Sequence, residues 1–156
     1  MKLIVGVSCI IFNQPKPQLL AGASKPLKLL LIQREKDPYK GKWCFAGGKL
    51  ELGETYSKAT QREVREELGL EVELYDEQRP DYINEIIFND KQYMVVSTAA
   101  YVAENSIRSL NHEGLTNQWF QYPHEIEQLR EEDCLPKLHS IIHKVVNNHF
   151  PKPHIV

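Results

Sequence analysis

The sequence has few cysteines, no long apolar run and no basic run, and each absence excludes a class of protein. Its three cysteines, Cys9, Cys44 and Cys134, show no CxxC spacing. This argues against a disulfide framework and a cysteine-based zinc site, and it indicates a reducing, cytoplasmic compartment. The apolar N-terminus MKLIVGVSCIIF is too short to span a membrane and lacks the small-residue cleavage site of a signal peptide.

The charge balance excludes an obvious nucleic-acid surface. The 156 residues include 19 lysines and arginines against 21 acidic residues, a net charge of −2. That balance argues against a nucleic-acid partner, since no basic run stands out along the chain. The hydrophobic fraction of 42% is ordinary for a globular protein. We expect residues 1–156 to form a single domain.

Apolar runs separated by turn-forming residues predict more strands than helices. A proline- and glycine-containing loop over 13–26 separates the first two strands, and Gly47 and Gly48 indicate a turn. The mixed order of elements predicts an α/β or α+β sandwich with a mixed β-sheet. The predicted strands are Leu3 to Phe12, Leu27 to Gln33, Trp43 to Ala46, Leu70 to Tyr75, Tyr82 to Phe88, Gln92 to Val102 and Asn117 to Tyr122.

Two helices are predicted. The first begins at Thr55, a suitable N-cap, and ends at Leu68, where Gly69 acts as a stop. The second lies in the C-terminal segment LPKLHSIIHKVVNNHF, with Pro136 in its first turn. Each has an apolar stripe that we expect to pack on the sheet. The stripes consist of Thr60, Val64 and Leu68 in the first helix, and Leu138, Ile141, Ile142, Val145 and Val146 in the second.

The stretch REVREELG concentrates carboxylates on one face of the first helix. Glu66 and Glu67 lie three and four residues after Glu63, and like charges at that spacing repel. Hard divalent cations such as Mg²⁺ or Mn²⁺ prefer carboxylate oxygens and would relieve this repulsion. The three glutamates taken alone are equally typical of a solvated charged face, in which Arg62 pairs with Glu66.

The residues around the glutamates favour the metal. From Gly48 onward, GKLELGETYSKATQREVREELGL follows the pattern Gly, five residues, Glu, seven residues, Arg-Glu-aliphatic-x-Glu-Glu-x-Gly-aliphatic. This segment, 48–70, resembles the signature box of the Nudix hydrolases. The resemblance implies a Nudix fold, with a mixed sheet between helices. The matching positions are Gly48, Glu54, Arg62, Glu63, Val64, Glu66, Glu67, Gly69 and Leu70.

The resemblance implies a role for each polar residue of the box. Glu63, Glu66 and Glu67 would bind the metal, completed by a backbone carbonyl of the turn, that of Gly47. Arg62 would pair with the glutamates and fix their orientation. Glu54 would stabilise the loop, and either Glu63 or Glu66 would be the catalytic base. One departure is Ala46, which stands where many members have a proline.

Ligands outside the box are harder to assign. Family members often supply a further carboxylate, for which Glu113 is our candidate and Glu85 the second choice; Glu113 is as compatible with a solvated loop position. His139 and His143 have the i,i+4 spacing of metal ligands, but no third ligand lies near them in the sequence. We therefore expect this pair to be an ordinary feature of the second helix.

The resemblance also implies the activity, a metal-dependent hydrolysis of the diphosphate bridge in a nucleoside diphosphate linked to another group. The segment WCFAGGKLELGE resembles the corresponding segment of nucleoside triphosphate pyrophosphatases, and we slightly favour this activity. The segment REKDPYKGKW, which precedes the box, resembles the corresponding segment of ADP-ribose and nucleotide-sugar pyrophosphatases. A non-catalytic nucleotide-binding sensor is the alternative from another class, although the complete glutamate set argues against it. A homodimer would be common for such a fold.

Overall fold

The computed structural model describes residues 1–15, 26–102 and 115–150. The chain forms eight strands and three α-helices within them. The strands are Lys2–Phe12 (β1), Lys28–Gln33 (β2), Trp43–Cys44 (β3), Ala46–Lys49 (β4), Val72–Leu74 (β5), Tyr82–Phe88 (β6), Lys91–Val102 (β7) and Asn117–Gln121 (β8). The helices are Tyr56–Leu68 (α1), His124–Gln128 (α2) and Leu138–His149 (α3), with a 3₁₀ turn at Glu131–Asp133. No helix of the described ranges is long and apolar enough to cross a membrane.

All eight strands belong to one mixed sheet. β1 lies parallel to β7 along its whole length, and every other strand pair is antiparallel. β2 and β4 pair with β1, β5 and β6 pair with β7, and β8 extends the sheet beyond β2. The two longest and most apolar strands therefore occupy the centre, as expected for strands buried on both faces. The predicted mixed sheet is confirmed.

The sheet has a hydrophobic core on each side, and β1 supplies both. Cys9 and Ile11 point to the face that α1 covers, where they meet Val64 and Leu68. Ile10 and Phe12 alternate with them and point to the opposite face, which α3 covers. The predicted sandwich of helices on both sides of a sheet is thus confirmed. The apolar stripes predicted for both helices are buried.

Three details differ from the sequence prediction. Gly47 and Gly48 lie in strand β4, paired with β1, and do not form a turn. Pro136 precedes α3, which begins at Leu138 because Lys137 has a left-handed φ of 67°. The short helix α2 was not predicted, since five residues are too few to show a helical period. Most of the predicted loop, 16–25, lies outside the described residues.

A buried carboxylate joins the two outer strands on the β7 side. Along β7, the pairing with β5 ends at Ala100 and the pairing with β6 begins at Ser97. The N–H of Ala99 therefore lies between the two paired stretches. Asp81 Oδ2 accepts that N–H at 2.7 Å, and its Oδ1 accepts a hydrogen bond from His149 Nε2 at 2.5 Å. Asp81 therefore replaces a missing strand residue and ties the end of α3 to the sheet.

Candidate active site

Helix α1 holds its glutamates beside β4 because the neighbouring face of the helix is fixed by the sheet. Thr55 Oγ1 accepts the N–H of Lys58 at 3.2 Å, as an N-cap should. Gly69 ends the helix with a φ of 68°, and its N–H donates to the carbonyl of Arg65 at 2.9 Å. Val64 and Leu68 are fully buried against the sheet. The predicted helix boundaries are confirmed, and Glu63, Glu66 and Glu67 lie to the side of the buried stripe.

Two glycines let β4 fit between β1 and α1. A Cβ at Gly47 would lie 2.1 Å from the carbonyl oxygen of Val7, inside the β1 backbone. A Cβ at Gly48 would lie 2.3 Å from Cδ of Glu63, inside its carboxylate. Close approach therefore disfavours a side chain at both positions, against a backbone at Gly47 and against a functional side chain at Gly48.

Glu67 is the most buried of the three carboxylates, and it is joined to β4. The N–H of Gly47 donates to Glu67 Oε1 at 2.9 Å. The pKa of Glu67 is raised to about 7, chiefly by burial and also by the charges of Glu63 and Glu66, while the hydrogen bond from Gly47 and the charge of Arg34 oppose the rise. The pKa of Glu63 is also raised, again chiefly by burial. These carboxylates therefore carry charge that the protein leaves only partly compensated.

Arg62 holds the remaining carboxylates in place. Its Nε and Nη2 donate to the two oxygens of Glu54 at 3.1 and 2.7 Å, a bidentate pair. Its Nη1 donates to Glu63 Oε1 at 2.9 Å and to Glu66 Oε2 at 3.2 Å. A further bond from Nη2 reaches the carbonyl of Lys49 at 3.0 Å. The hydrogen bonds from Arg62 lower the pKa of Glu54, so this loop carboxylate stays ionised.

The donor set fits a hard divalent cation in its chemistry. Glu63, Glu66 and Glu67 offer only carboxylate oxygens, the ligands that Mg²⁺ and Mn²⁺ prefer. Over the described ranges, however, no three acidic, histidine or cysteine side chains converge on one point. Two of the three carboxylates are instead occupied by Arg62. A cation bound here would neutralise the carboxylate charge that the protein leaves partly compensated. The contact seen at Gly47 is made by its N–H, to Glu67, so metal binding by the Gly47 carbonyl stays a prediction.

Of the candidate ligands outside the box, the structure describes Glu85, His139 and His143 and places all three away from the glutamates of α1. Glu113 falls outside the described residues. Glu85 is exposed on β6, three strand positions and roughly 14 Å from β4, so the sheet does not bring it to the glutamates of α1. His139 Nε2 lies 3.1 and 2.9 Å from the carbonyl oxygens of Ile126 and Leu129, and His143 Nδ1 is hydrogen-bonded to the Tyr122 hydroxyl. The histidine pair therefore serves the packing of α3.

Arg34 is a site neighbour whose place the sequence spacing does not reveal. Its Nε donates to the carbonyl of Pro38 at 2.6 Å, which holds the side chain within its own loop. From there its charge acts on both Cys44 and Glu67. Burial raises the pKa of Cys44 to about 12, and Arg34 opposes that rise. The contact depends on a loop conformation, for which residue spacing gives no signal.

Replacing Arg62 by lysine tests its orienting role. A lysine keeps the positive charge but offers one ammonium group in place of a planar fork, so the bidentate bond to Glu54 and the shared bonds to Glu63 and Glu66 cannot all form. We expect Arg62→Lys to lower kcat/KM about 10- to 100-fold with little change in the melting temperature. Arg65→Lys, which alters only the exposed pair with Glu71, is the matched control. Equal activity of the two variants would contradict the role.

The raised pKa of Glu67 predicts a pH-dependent stability of the metal-free chain. The folded state holds this proton more tightly than the unfolded state, in which the pKa is near 4.5. Its stabilising contribution is therefore complete below about pH 4.5 and is lost as the pH rises to about 7. With EDTA present, we expect this group to lower the unfolding free energy by about 3 kcal/mol across this window. Urea titrations of Glu67→Gln should show a fall smaller by that amount; an identical fall would refute the assignment.

A family model and several curated proteins match this sequence. A family model described as "NUDIX domain" matches residues 2–140. An ADP-ribose pyrophosphatase of Methanocaldococcus jannaschii is 48% identical over 46 residues, which cover 30% of this chain and 27% of that protein. A CTP pyrophosphohydrolase of Escherichia coli is 51% identical over 45 residues, 28% of this chain and 33% of that protein. The matched regions thus span about a third or less of these curated relatives.

The solved structures agree on the fold. A structure described as a NUDIX hydrolase from Nitrosomonas europaea superimposes with a TM-score of 0.69. The alignment covers 96% of this chain and 92% of that chain at 21% identity, a level that supports the architecture alone. The family model, by contrast, includes the whole glutamate helix and both glycines of β4.

Proposed function

The chain belongs to the NUDIX family, and from that premise we propose that it is a divalent-metal-dependent hydrolase of small nucleotides, acting at a diphosphate bridge. The observation that carries the proposal is the partly compensated charge on α1, where Glu63 and Glu67 have raised pKa values beside Gly47 and Gly48. Repulsion between these carboxylates does not stabilise the helix. A bound cation would remove the repulsion and could at the same time bind a phosphate group of the substrate.

The reaction transfers a phosphoryl or nucleotidyl group to water. A bound Mg²⁺, with Mn²⁺ as substitute, would supply charge neutralisation on the phosphate oxygens and an activated water. Water attacks one phosphorus of the bridge, the P–O bond to the bridging oxygen breaks, and the water proton passes to a base on the protein. Glu63, Glu66 and Glu67 would hold the cation, with the carbonyl of Gly47 and, outside the described residues, Glu113 as further ligands.

Glu63 is our first choice for the base and Glu66 the alternative. Glu63 has a pKa raised by burial, which makes its carboxylate a stronger proton acceptor, and Arg62 fixes one of its oxygens at 2.9 Å. Glu66 is bonded to the same guanidinium at 3.2 Å, but its side chain is 60% exposed. Arg62 would therefore orient either carboxylate toward the water, which is the catalytic role that we propose for it.

We favour nucleoside triphosphates as substrates, cleaved to a monophosphate and pyrophosphate. The similarity to the CTP pyrophosphohydrolase supports this choice. ADP-ribose or a nucleotide sugar is the second candidate, which the similarity to the ADP-ribose pyrophosphatase supports. The two matches span 46 and 45 residues, under a third of this chain, so neither match settles which substrate this chain hydrolyses.

We further propose a single domain that works in the cytoplasm. The described cysteines, Cys9, Cys44 and Cys134, are all free and buried, as suits a reducing compartment. The alternative of a non-catalytic sensor would bind the same nucleotides through the same cation without turnover. Its expected mark, loss of a box carboxylate, is not found in this sequence.

A nucleotide panel tests the proposal. The purified chain is incubated with nucleoside triphosphates, ADP-ribose, a nucleotide sugar and a dinucleoside polyphosphate, with Mg²⁺, Mn²⁺ or EDTA, and all products are identified. We expect metal-dependent cleavage at a diphosphate bridge, with triphosphates giving monophosphate and pyrophosphate. Faster turnover of ADP-ribose would select the second candidate. Measurable nucleotide binding without turnover of any substrate would overturn the enzyme in favour of the sensor.

A further inference from the structure

Asn84 on β6 is a buried residue whose side chain has no hydrogen-bond partner. It is 7% exposed, and across the described ranges neither its amide oxygen nor its amide nitrogen is bonded to another group. Burying an amide without a partner costs folding free energy, so nearly all buried amides in proteins are paired. An unpaired amide that the chain keeps in a strand is therefore available to a ligand.

Strand register places the Asn84 amide on the face of the sheet that α3 covers. Tyr82, two positions earlier on β6, lies on that face, because Lys144 Nζ of α3 stands 5.3 Å from the centroid of its ring. Asn84 points the same way by the alternation of a strand. Its row across the sheet continues through Val95 and Gly6, both half-buried. Since Gly6 has no side chain, the surface in front of the amide is low and partly open.

A pair of hydroxyl groups lies in the neighbouring row of this face. Ser8 and Ser97 are opposite each other on β1 and β7, and their Oγ atoms are 2.6 Å apart. One hydroxyl donates to the other, so the accepting hydroxyl keeps its own proton for a ligand. Ser97 is the diagonal neighbour of Asn84 across β7 and β6, a relation that separates two side chains by about 7 Å. One flat ring system can contact both.

We propose that Asn84, Ser8 and Ser97 bind the nucleobase of the substrate, an inference that rests on the proposed function. We call these three residues the base site. A nucleobase carries hydrogen-bond donors and acceptors side by side on one edge, and a primary amide offers one of each in return. The faces of the ring are apolar, and the half-buried side chains of Val95 and Tyr93 on the same face of β7 would contact them.

The base site is separated from the glutamates of α1 by a distance that a nucleotide spans. β6 lies three strand positions, roughly 14 Å, from β4. The row that contains Asn84 ends on β4 at Lys49, whose carbonyl accepts a hydrogen bond from Arg62 at 3.0 Å. Among the described residues β4 pairs with β1 alone, so a substrate can pass its free edge. The base would then lie over β7 and β6, and the diphosphate would reach Glu63.

Nuclear magnetic resonance titration of the isotope-labelled full chain with nucleoside monophosphates in EDTA tests the base site without metal or turnover. We expect the side-chain amide signal of Asn84, identified by its loss in Asn84→Val, to shift. Asn84→Val should raise the Kd at least about tenfold. Ribose 5-phosphate, which has no base, should bind both chains equally. Gln92→Ala removes an amide from the opposite face of β7 and should change nothing.

Stability separates base binding from a structural role. Because the Asn84 amide has no partner within the described chain, we expect Asn84→Val to keep or raise the melting temperature. In hydrolysis assays the same variant should raise KM about tenfold and leave kcat within about twofold, since it removes binding and no part of the reaction. A residue kept for the fold would lower the melting temperature and leave base binding unchanged.

Asn84→Asp keeps the shape of the side chain and changes which base fits it. A carboxylate accepts hydrogen bonds and donates none. Adenine presents a ring nitrogen acceptor beside its amino group, whereas guanine presents two adjacent donors on its pairing edge. We therefore expect Asn84→Asp to shift the ratio of GMP to AMP affinity at least about tenfold toward GMP. If Asn84→Val melts early, this variant decides the test.

Three results would overturn the base site. They are an Asn84 amide signal that no monophosphate shifts at about 10 mM, an Asn84→Val variant that weakens ribose 5-phosphate as much as the monophosphates, and a GMP to AMP ratio that Asn84→Asp leaves unchanged. Failure of the proposed function looks different. In that case the monophosphates would still shift the Asn84 signal, but the chain would cleave no nucleotide with Mg²⁺.

Discussion

Replacing Glu67 by glutamine should abolish metal-dependent hydrolysis and leave the fold intact. Glutamine keeps the shape of the side chain and can still accept the N–H of Gly47, now 2.9 Å from Oε1, but it carries no charge for a cation. Because burial disfavours the carboxylate form of Glu67, removing the charge should also stabilise the metal-free protein slightly at neutral pH. We expect kcat/KM to fall at least about 10²-fold in steady-state assays with Mg²⁺.

The control for Glu67→Gln is Glu71→Gln. Glu71 is the next acidic residue along the chain, exposed and paired with Arg65 at 2.6 Å. It loses one charge of the same sign, so it reports any effect of net charge alone. Retained hydrolysis by Glu67→Gln, or an equal loss in Glu71→Gln, would show that the carboxylate of Glu67 has no special role.

The two glycines of β4 should respond differently to alanine. At Gly47 the added Cβ would lie 2.1 Å from the carbonyl oxygen of Val7 and 2.9 Å from Cα of Ser8. Backbone atoms of a central strand cannot move aside, so β4 must leave the sheet. We expect Gly47→Ala to lose about 4 kcal/mol or more of unfolding free energy, measured by urea titration, or to fail to fold.

At Gly48 the three atoms nearest to the added Cβ all belong to the carboxylate of Glu63, at 2.3 to 2.4 Å. This is the far end of a flexible side chain, which can rotate away. We expect Gly48→Ala to cost about 1 kcal/mol or less in stability but to lower kcat/KM about 10²-fold, because Glu63 leaves its place beside Arg62. Equal stability of the two variants would contradict the steric requirement for glycine at Gly47. Full activity of Gly48→Ala would contradict the claim that Gly48 leaves room for Glu63 beside Arg62.

Much of the fold could be predicted because its signals are local. The N-cap Thr55, the stop Gly69 and the stripe of Val64 and Leu68 define α1, a helix of 13 residues between its two caps. The apolar runs of β1 and β7 predict buried strands without knowledge of their partners. The orientation of the three glutamates follows from the helical period alone, so the face that bears them was readable from the sequence.

The features that escaped prediction depend on contacts distant in sequence. Gly47 and Gly48 indicate a turn by composition, and only the approach of β1 shows that they belong to a strand. Asp81 contacts Ala99 and His149, residues far along the chain, and no spacing rule joins them. Arg62 was expected to pair with the box glutamates, but its bond to the carbonyl of Lys49 depends on the path of the loop.

Binding of Mn²⁺ to the glutamate face tests the central claim most directly. Electron paramagnetic resonance detects the free ion during titration of the wild-type chain, Glu67→Gln and Glu71→Gln at about pH 8, above the raised pKa of about 7 for Glu67. We expect the wild-type chain and Glu71→Gln to bind the ion equally and Glu67→Gln to bind it at least about tenfold more weakly. Equal binding by Glu67→Gln and the wild-type chain would contradict the claim that the charge on α1 exists to hold a cation.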